Sequence, residues 1–136
     1  MRKPVSLGTV ENFVIELPYP PSANTYWRHR GLMVGGKPKS LVYISQPGKD
    51  YRKAVTATVA EHFNGKPPRL TCDLAVGVRQ FPATAQDIDN CLKPLLDSLQ
   101  HAGMYENDRQ ICELLVIRDR RAAVGRVRVT ITAIGV

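Results

Sequence analysis

With 136 residues, 43% of them hydrophobic and 23% charged, the chain has the length and composition of one globular domain with a real core and little room for a second, not of a disordered or fibrous chain. Its formal net charge of +7 favours a polyanionic partner, although a solvated basic surface gives the same number. No apolar run approaches the ~18 residues of a bilayer span, the N-terminal MRKPVSLGTVENF lacks a signal peptide's apolar stretch, and Cys72, Cys91 and Cys112 lack the number and spacing of a disulfide framework or zinc knuckle.

A soluble, cytoplasmic, nucleic-acid-facing domain is therefore expected. Residues 1–11 read as a flexible leader. Asn12 to Leu17 alternates as a first strand, stopped by Pro18. In Pro18 to Arg30, PYPPSANTYWRHR, prolines stiffen the backbone, and Asn24, Tyr26, Trp27, Arg28 and Arg30 interleave aromatic and basic groups suited to phosphates and bases. Tyr26 and Trp27 read equally well as core residues of a second strand. Gly31 to Lys39 is a flexible basic turn, and Leu41 to Ile44 a short strand. Ser45 is placed as the N-cap of a helix running to about Phe63, with Pro47 in its first turn. Tyr51, Val55, Val59 and Phe63 form its apolar stripe.

Arg69 to Phe81 reads as the clearest strand, with Leu70, Cys72, Leu74, Val76 and Val78 on one face. Ile111 to Ile117 is apolar on both faces, as expected of a central strand, which makes Cys112 a core residue. Arg118 to Gly125 is a charged turn. In the last strand Arg126 and Arg128 alternate with Val127, Val129 and Ile131, leaving a basic ladder outward. Strands with helices inserted between them indicate an α+β fold, a mixed β-sheet flanked by two main helices.

The stretch Gln86 to Arg109, QDIDNCLKPLLDSLQHAGMYENDR, gathers acids in this basic chain. Ile88, Cys91, Leu92, Leu95, Leu96 and Leu99 trace a helical stripe. Asp89, Lys93 and Asp97 lie four apart on another face, with Asp87 at or before the first turn. Asp87 as a cap and Asp89–Lys93–Asp97 as exposed ion pairs would be the ordinary explanation. Against it, one turn needs only one capping carboxylate, and Asn90 adds another oxygen donor of the kind Mg²⁺ takes. An EF-hand is excluded, because its glycine position is Leu92 and its final acid Ser98. A D-x-D transferase site is disfavoured by the chain's size and the lack of a nucleotide-binding βαβ pattern. Pro94 should kink the helix if it lies in the interior and costs less if the regular helix begins near Asn90; either way it strips the Asn90 carbonyl of its usual partner.

D-I-D-N-x-x-K followed by D-S-L-Q-H-A-G-M-Y-E-N-D-R-Q-I resembles the signature of the RusA family of Holliday-junction resolvases. Leu17 to Arg28, LPYPPSANTYWR, is similar to that family's N-terminal motif, and Ser45, Gly48, Tyr51 and Arg52 fit its first helix. The match runs in order through nearly the whole chain, departing at Pro94 and in a longer leader. It implies one RusA-like domain over residues 1–136 and a homodimeric, Mg²⁺-dependent endodeoxyribonuclease, often of phage or prophage origin. Such an enzyme resolves four-way DNA junctions by paired symmetric nicks in recombination and repair. Position by position, the resemblance makes Asp87, Asp89 and Asp108 the metal-binding acids and Lys93 the catalytic lysine. Asn90 and Asp97 are expected to steady Asp89 and Lys93. Expected DNA contacts are Asn24, Arg28, Arg30, Lys37, Lys39, Arg118, Arg120, Arg121, Arg126 and Arg128. A non-catalytic nucleic-acid-binding module of the same fold is the alternative.

Overall fold

The computed structural model describes residues 12–135, so the expected leader at 1–11 lies outside the described residues. In chain order the elements are β1 (Asn12–Pro18), α1 (Ala23–Tyr26), β2 (Trp27–Val34), β3 (Lys37–Ile44), α2 (Gln46–His62), β4 (Leu74–Phe81), α3 (Leu92–His101), β5 (Ile111–Arg118) and β6 (Arg126–Ala133), with a 3-10 turn at Asp108–Gln110 ahead of β5. Four strands form one sheet in the order β1-β6-β4-β5. β5 runs parallel to β4, while β6 is antiparallel to both β1 and β4. The mixed sheet with two main helices is the α+β architecture expected from the sequence.

Alternation fixes which face of the sheet is covered. Leu74, Val76 and Val78 of β4, Val127, Val129 and Ile131 of β6, and Ile15 and Leu17 of β1 are all buried, and they share one core with Tyr51, Val55 and Val59 of α2 and Leu95 and Leu99 of α3. Helix α2 begins as expected: the Ser45 hydroxyl accepts from the Gly48 amide at 3.1 Å, and Pro47 occupies the first turn. Gly48 is required by space, because a Cβ there would lie 2.7 Å from the Tyr26 carbonyl oxygen and 2.8 Å from Ile44 Cγ2.

Several expectations change. The basic turn at Gly31–Lys39 is mostly strand: β2 and β3 pair in register from Trp27↔Ile44 to Val34↔Lys37. Only Gly35 and Gly36, at φ 59° and 76°, make the turn, as a two-residue hairpin loop demands. The strand expected from Arg69 begins at Leu74 instead. Arg69 sits at φ 45°, and the amides of Arg69 and Leu70 donate to Gly103 and Met104 carbonyls, so this segment joins the loop after α3.

The strand expected to be central, β5, is an edge strand. Its apolar outer side is uncovered, with Leu115 64% exposed, and Cys112 is exposed rather than core. The last strand, β6, lies inside the sheet, so its outward arginines stand over the open face and not along an edge. Cys91 is fully buried and Cys72 half-buried. No helix among the described residues is long and apolar enough to cross a membrane.

Candidate active site

The acidic stretch is a turn before it is a helix. α3 starts only at Leu92, so Pro94 lies in the first turn, where its missing amide breaks no helical bond and causes no kink. The Asn90 carbonyl that Pro94 strands accepts instead from the Ala23 amide at 2.9 Å, joining the N-terminal PPSANTY segment to the acidic turn. Neither Asp87 nor any other side chain caps α3, whose N-cap position is Cys91. Ile88, expected on the apolar stripe, is 43% exposed because it precedes the helix.

Two further interactions clamp this turn by its main chain. Gln80, fully buried on β4, donates its amide to the Ile88 carbonyl at 2.7 Å and to the Cys91 sulfur at 3.4 Å. Arg118 at the end of β5 donates to the Gln86 carbonyl. Held from behind, the turn presents Asp87 and Asp89 to solvent. Among the described residues neither carboxylate enters an ion pair, although the chain is strongly cationic.

Lys93 and Asp108 meet: Nζ stands 2.5 Å from Oδ2, and Asp108 is the less exposed of the two. Asp108 is placed by α3 as well as by its own turn. Its amide donates to Gln100 Oε1 at 2.9 Å. Asn107 and Gln110 close a capping box around the 3-10 turn, and the Gln110 amide donates to the Leu70 and Cys72 carbonyls at 2.8 and 2.9 Å. α3 therefore carries both the lysine and the glutamine that fix Asp108.

Asp97 does not touch Lys93. It accepts from Arg52 Nη2 at 2.6 Å and from the Tyr26 hydroxyl at 2.5 Å, while Arg52 Nε donates to the same hydroxyl at 2.5 Å. Four residues apart, Lys93 and Asp97 could have paired, but each has a closer partner on another element. Burial and then the neighbouring carboxylate raise the Tyr26 phenol above its ordinary value. For Arg52, burial opposes the charge, and the bonds to Asp97 and Tyr26 outweigh it, so its guanidinium is held charged. Tyr26 is thus a fully buried strut between the N-terminal motif, α2 and α3, and not a base-stacking ring.

The cations expected to meet DNA divide into two sets. Arg28, Arg30, Lys37 and Lys39 on the β2–β3 hairpin are exposed, as are Asn24, Arg120 and Arg126. Others are engaged within the fold. Arg121 and Arg79 pair with buried Asp119 at 2.7 and 3.1 Å. Arg128 pairs with Glu16 at 2.9 Å and lies over the Phe81 ring. Arg118 is spent on the acidic turn. Gln80, Gln100 and Gln110 are not signalled as site residues by any motif in the sequence. Of these Gln80 was legible, as a polar residue in the core-facing register of Leu74, Val76 and Val78.

Among the described residues no three histidines, cysteines or acids stand close enough together to enclose a cation. The donor set nonetheless suits a hard ion. It is all oxygen, and the Asp87 and Asp89 carboxylates lack a protein cation, whereas Mg²⁺ commonly takes one or two carboxylates and keeps water and substrate phosphate for the rest.

A small α+β domain that offers an open acidic turn leading into a helix with a lysine–aspartate pair, in a cationic chain, has the build of a phosphodiester-handling protein. The profile of a family described as Endodeoxyribonuclease RusA matches residues 18–132. The chain is 40% identical over 116 residues to a crossover junction endodeoxyribonuclease rusA of Enterobacteria phage HK97, an alignment covering 85% of this chain and 90% of that protein. It is 27% identical to a protein of the same name from Shigella sonnei, and 25% identical to one from Escherichia coli K12, each over 93% of this chain and 98% of the relative. The chain belongs to the RusA family of endodeoxyribonucleases.

Proposed function

We propose that this protein is a Mg²⁺-dependent endodeoxyribonuclease that resolves four-way DNA junctions by paired, symmetric hydrolysis of phosphodiester bonds, acting in recombination and repair in the cytoplasm. The observation that carries the proposal is the rigidly backed turn with two unpaired carboxylates, Asp87 and Asp89, leading into helix α3, whose Lys93 pairs with Asp108. Surface acids placed only for solubility need no such buried support from Gln80, Ala23 and Arg118. The family's name and the names of its relatives support the substrate and the reaction.

Asp87 and Asp89 would hold the metal, and the family resemblance adds Asp108, which here pairs with Lys93 and forms no three-acid cluster with them. When bound, the ion supplies Lewis acidity toward the phosphoryl oxygen and eases ionisation of the attacking water. Lys93, steadied by Asp108, offers a positive charge to the non-bridging oxygens as charge builds on the phosphorus centre. Gln100 keeps Asp108 in place, and Gln80 keeps the acidic turn against the sheet. The exposed cations of the β2–β3 hairpin, with Asn24, Arg120 and Arg126, bind the DNA backbone and set its approach. A junction presents two equivalent strands, so the working form is a homodimer with one site per copy.

The test is cleavage of a four-way junction and of linear duplex with and without Mg²⁺, wild type beside Asp89→Asn. Symmetric nicks in the junction alone are expected, abolished without Mg²⁺ and reduced at least ~100-fold in the variant while junction binding persists. A wild-type protein that binds the junction and never cuts it would refute the proposal.

A further inference from the structure

A cleft of about 580 Å³ opens directly beside the acidic turn, between the loop that delivers Asp87 and the turn that follows β5. Pro82, Ala85, Gln86 and Asp87 line one wall, and Arg118 and Arg120 the other. Main-chain bonds fix both walls at their root: the Asp119 amide donates to the Gln80 carbonyl at 2.8 Å, and the Gly125 amide to the Phe81 carbonyl at 2.9 Å. Arg118 ties the walls together by donating to the Gln86 carbonyl. The cleft is therefore preformed, and a ligand entering it has little ordering to offset.

Its charge is set by the residues around it. In the run from Arg118 to Arg121 the one acid is buried: Asp119 Oδ2 accepts from Arg121 Nη2 at 2.7 Å and from Arg79 Nη1 at 3.1 Å. Asp119 Oδ1 also accepts from the Arg121 amide at 3.0 Å, which closes the turn and leaves Arg120 exposed. Among the described residues neither Arg118 nor Arg120 pairs with an acid. The one carboxylate lining the cleft is Asp87, which in the proposed reaction holds the metal. Two guanidiniums thus border a space that suits a single nucleotide unit and is too small for a duplex, and a guanidinium's planar fork matches a phosphate.

We infer that this cleft seats the phosphate adjoining the scissile one, bound by Arg120 and drawn in by the charge of Arg118, so that the cut strand is gripped on one flank of Asp87. Phosphate contacts set register and orientation rather than sequence, and a grip one nucleotide from the reacting bond fixes where along the strand that bond falls. Pro82 and Ala85 supply apolar contact for the sugar between the two phosphates. The inference rests on the proposed nuclease reading and names the substrate group that holds the strand in register.

Methylphosphonates, each removing the charge of one phosphate, test it when walked through symmetric positions in the two cut strands of a four-way junction. Binding is read by fluorescence anisotropy without Mg²⁺, and the nick is located by cleavage with it. At the position adjoining the nick, the neutral group is expected to weaken wild-type binding about tenfold. Arg120→Ala should weaken binding of the unmodified junction by as much and lose all sensitivity to that group, because both changes remove one contact. Ala85→Phe, which fills the cleft and keeps every charge, should lose the same sensitivity with far-UV circular dichroism unchanged. Arg126→Ala, outside the cleft, should weaken binding and retain it. Additive losses for Arg120→Ala and the methylphosphonate at every position would overturn the inference. So would a coupled phosphate away from the nick, or full sensitivity in a folded Ala85→Phe, since the phosphate would then lie elsewhere. A protein that shows the coupling in binding and never cuts the junction would count against the proposed function and leave the cleft as a phosphate seat.

Discussion

At the scale of the residue, the site depends on side chains that hold others still. Lys93 reaches Asp108 at 2.5 Å across 15 residues of chain, and a point charge placed there is useful only if it stays put. Lys93→Ala should lower kcat by roughly 10²–10³, the size expected when one electrostatic partner of the developing charge is removed. Lys93→Arg should retain most of the rate, and single-turnover cleavage of a junction distinguishes the two. Asp119 behaves differently. The hydrogen bonds from Arg121, and then from Arg79, hold its carboxyl well below the usual carboxylate range. A carboxyl depressed in the folded state contributes stability that is complete above the unfolded value of about 4 and fades as pH falls below it. Asp119→Asn should therefore lower Tm at pH 7, and the gap from wild type should close in strong acid. Thermal melts across pH check this.

At the scale of the element, α2 and the hairpin root leave no slack. Ser45 caps α2, and its own amide donates to the Tyr26 carbonyl at 2.9 Å, so helix and hairpin begin from one knot. Gly48 lies inside that knot, and Gly48→Ala would press a methyl onto backbone oxygen. A destabilisation of roughly 1–3 kcal/mol is expected, read as a lower midpoint in urea. The same knot passes through Tyr26 to Arg52 and Asp97, so the first motif, α2 and α3 form one rigid frame behind the acidic turn. The helix signals were legible because capping and the four-residue stripe are local. The start of α3 was not, because Asp87 and Asp89 resemble a helix N-terminus, while the bonds that keep 88–91 out of the helix come from Gln80, Ala23 and Arg118, distant in sequence.

At the scale of the whole molecule, net charge is not spread evenly. Arg79, Arg121 and Arg128 are paired with acids within the fold, and the hairpin retains exposed cations. Replacing Arg28, Arg30, Lys37 and Lys39 by alanine should flatten the slope of log K against log salt for duplex DNA by about 0.9 for each phosphate left without its cation. Replacing Arg121 and Arg128 should change that slope far less. Fluorescence anisotropy over a salt series measures both.

Composition, alternation and the D-I-D-N-x-x-K pattern were enough to determine a cationic α+β domain, its capped helix α2, most of its core strands and the exposed acidic turn that carries Asp87 and Asp89. Each of these depends on residues close together in the chain, or on a net charge that folding does not alter. Tertiary structure decided the rest. It placed β5 at the edge although its sequence is that of a buried strand, since an apolar face reveals that something should cover it but not what. It turned Asp97 from Lys93 to Arg52 and gave the Asn90 carbonyl, orphaned by Pro94, the amide of Ala23. Those partners are chosen by which elements pack together, and that choice belongs to the whole core.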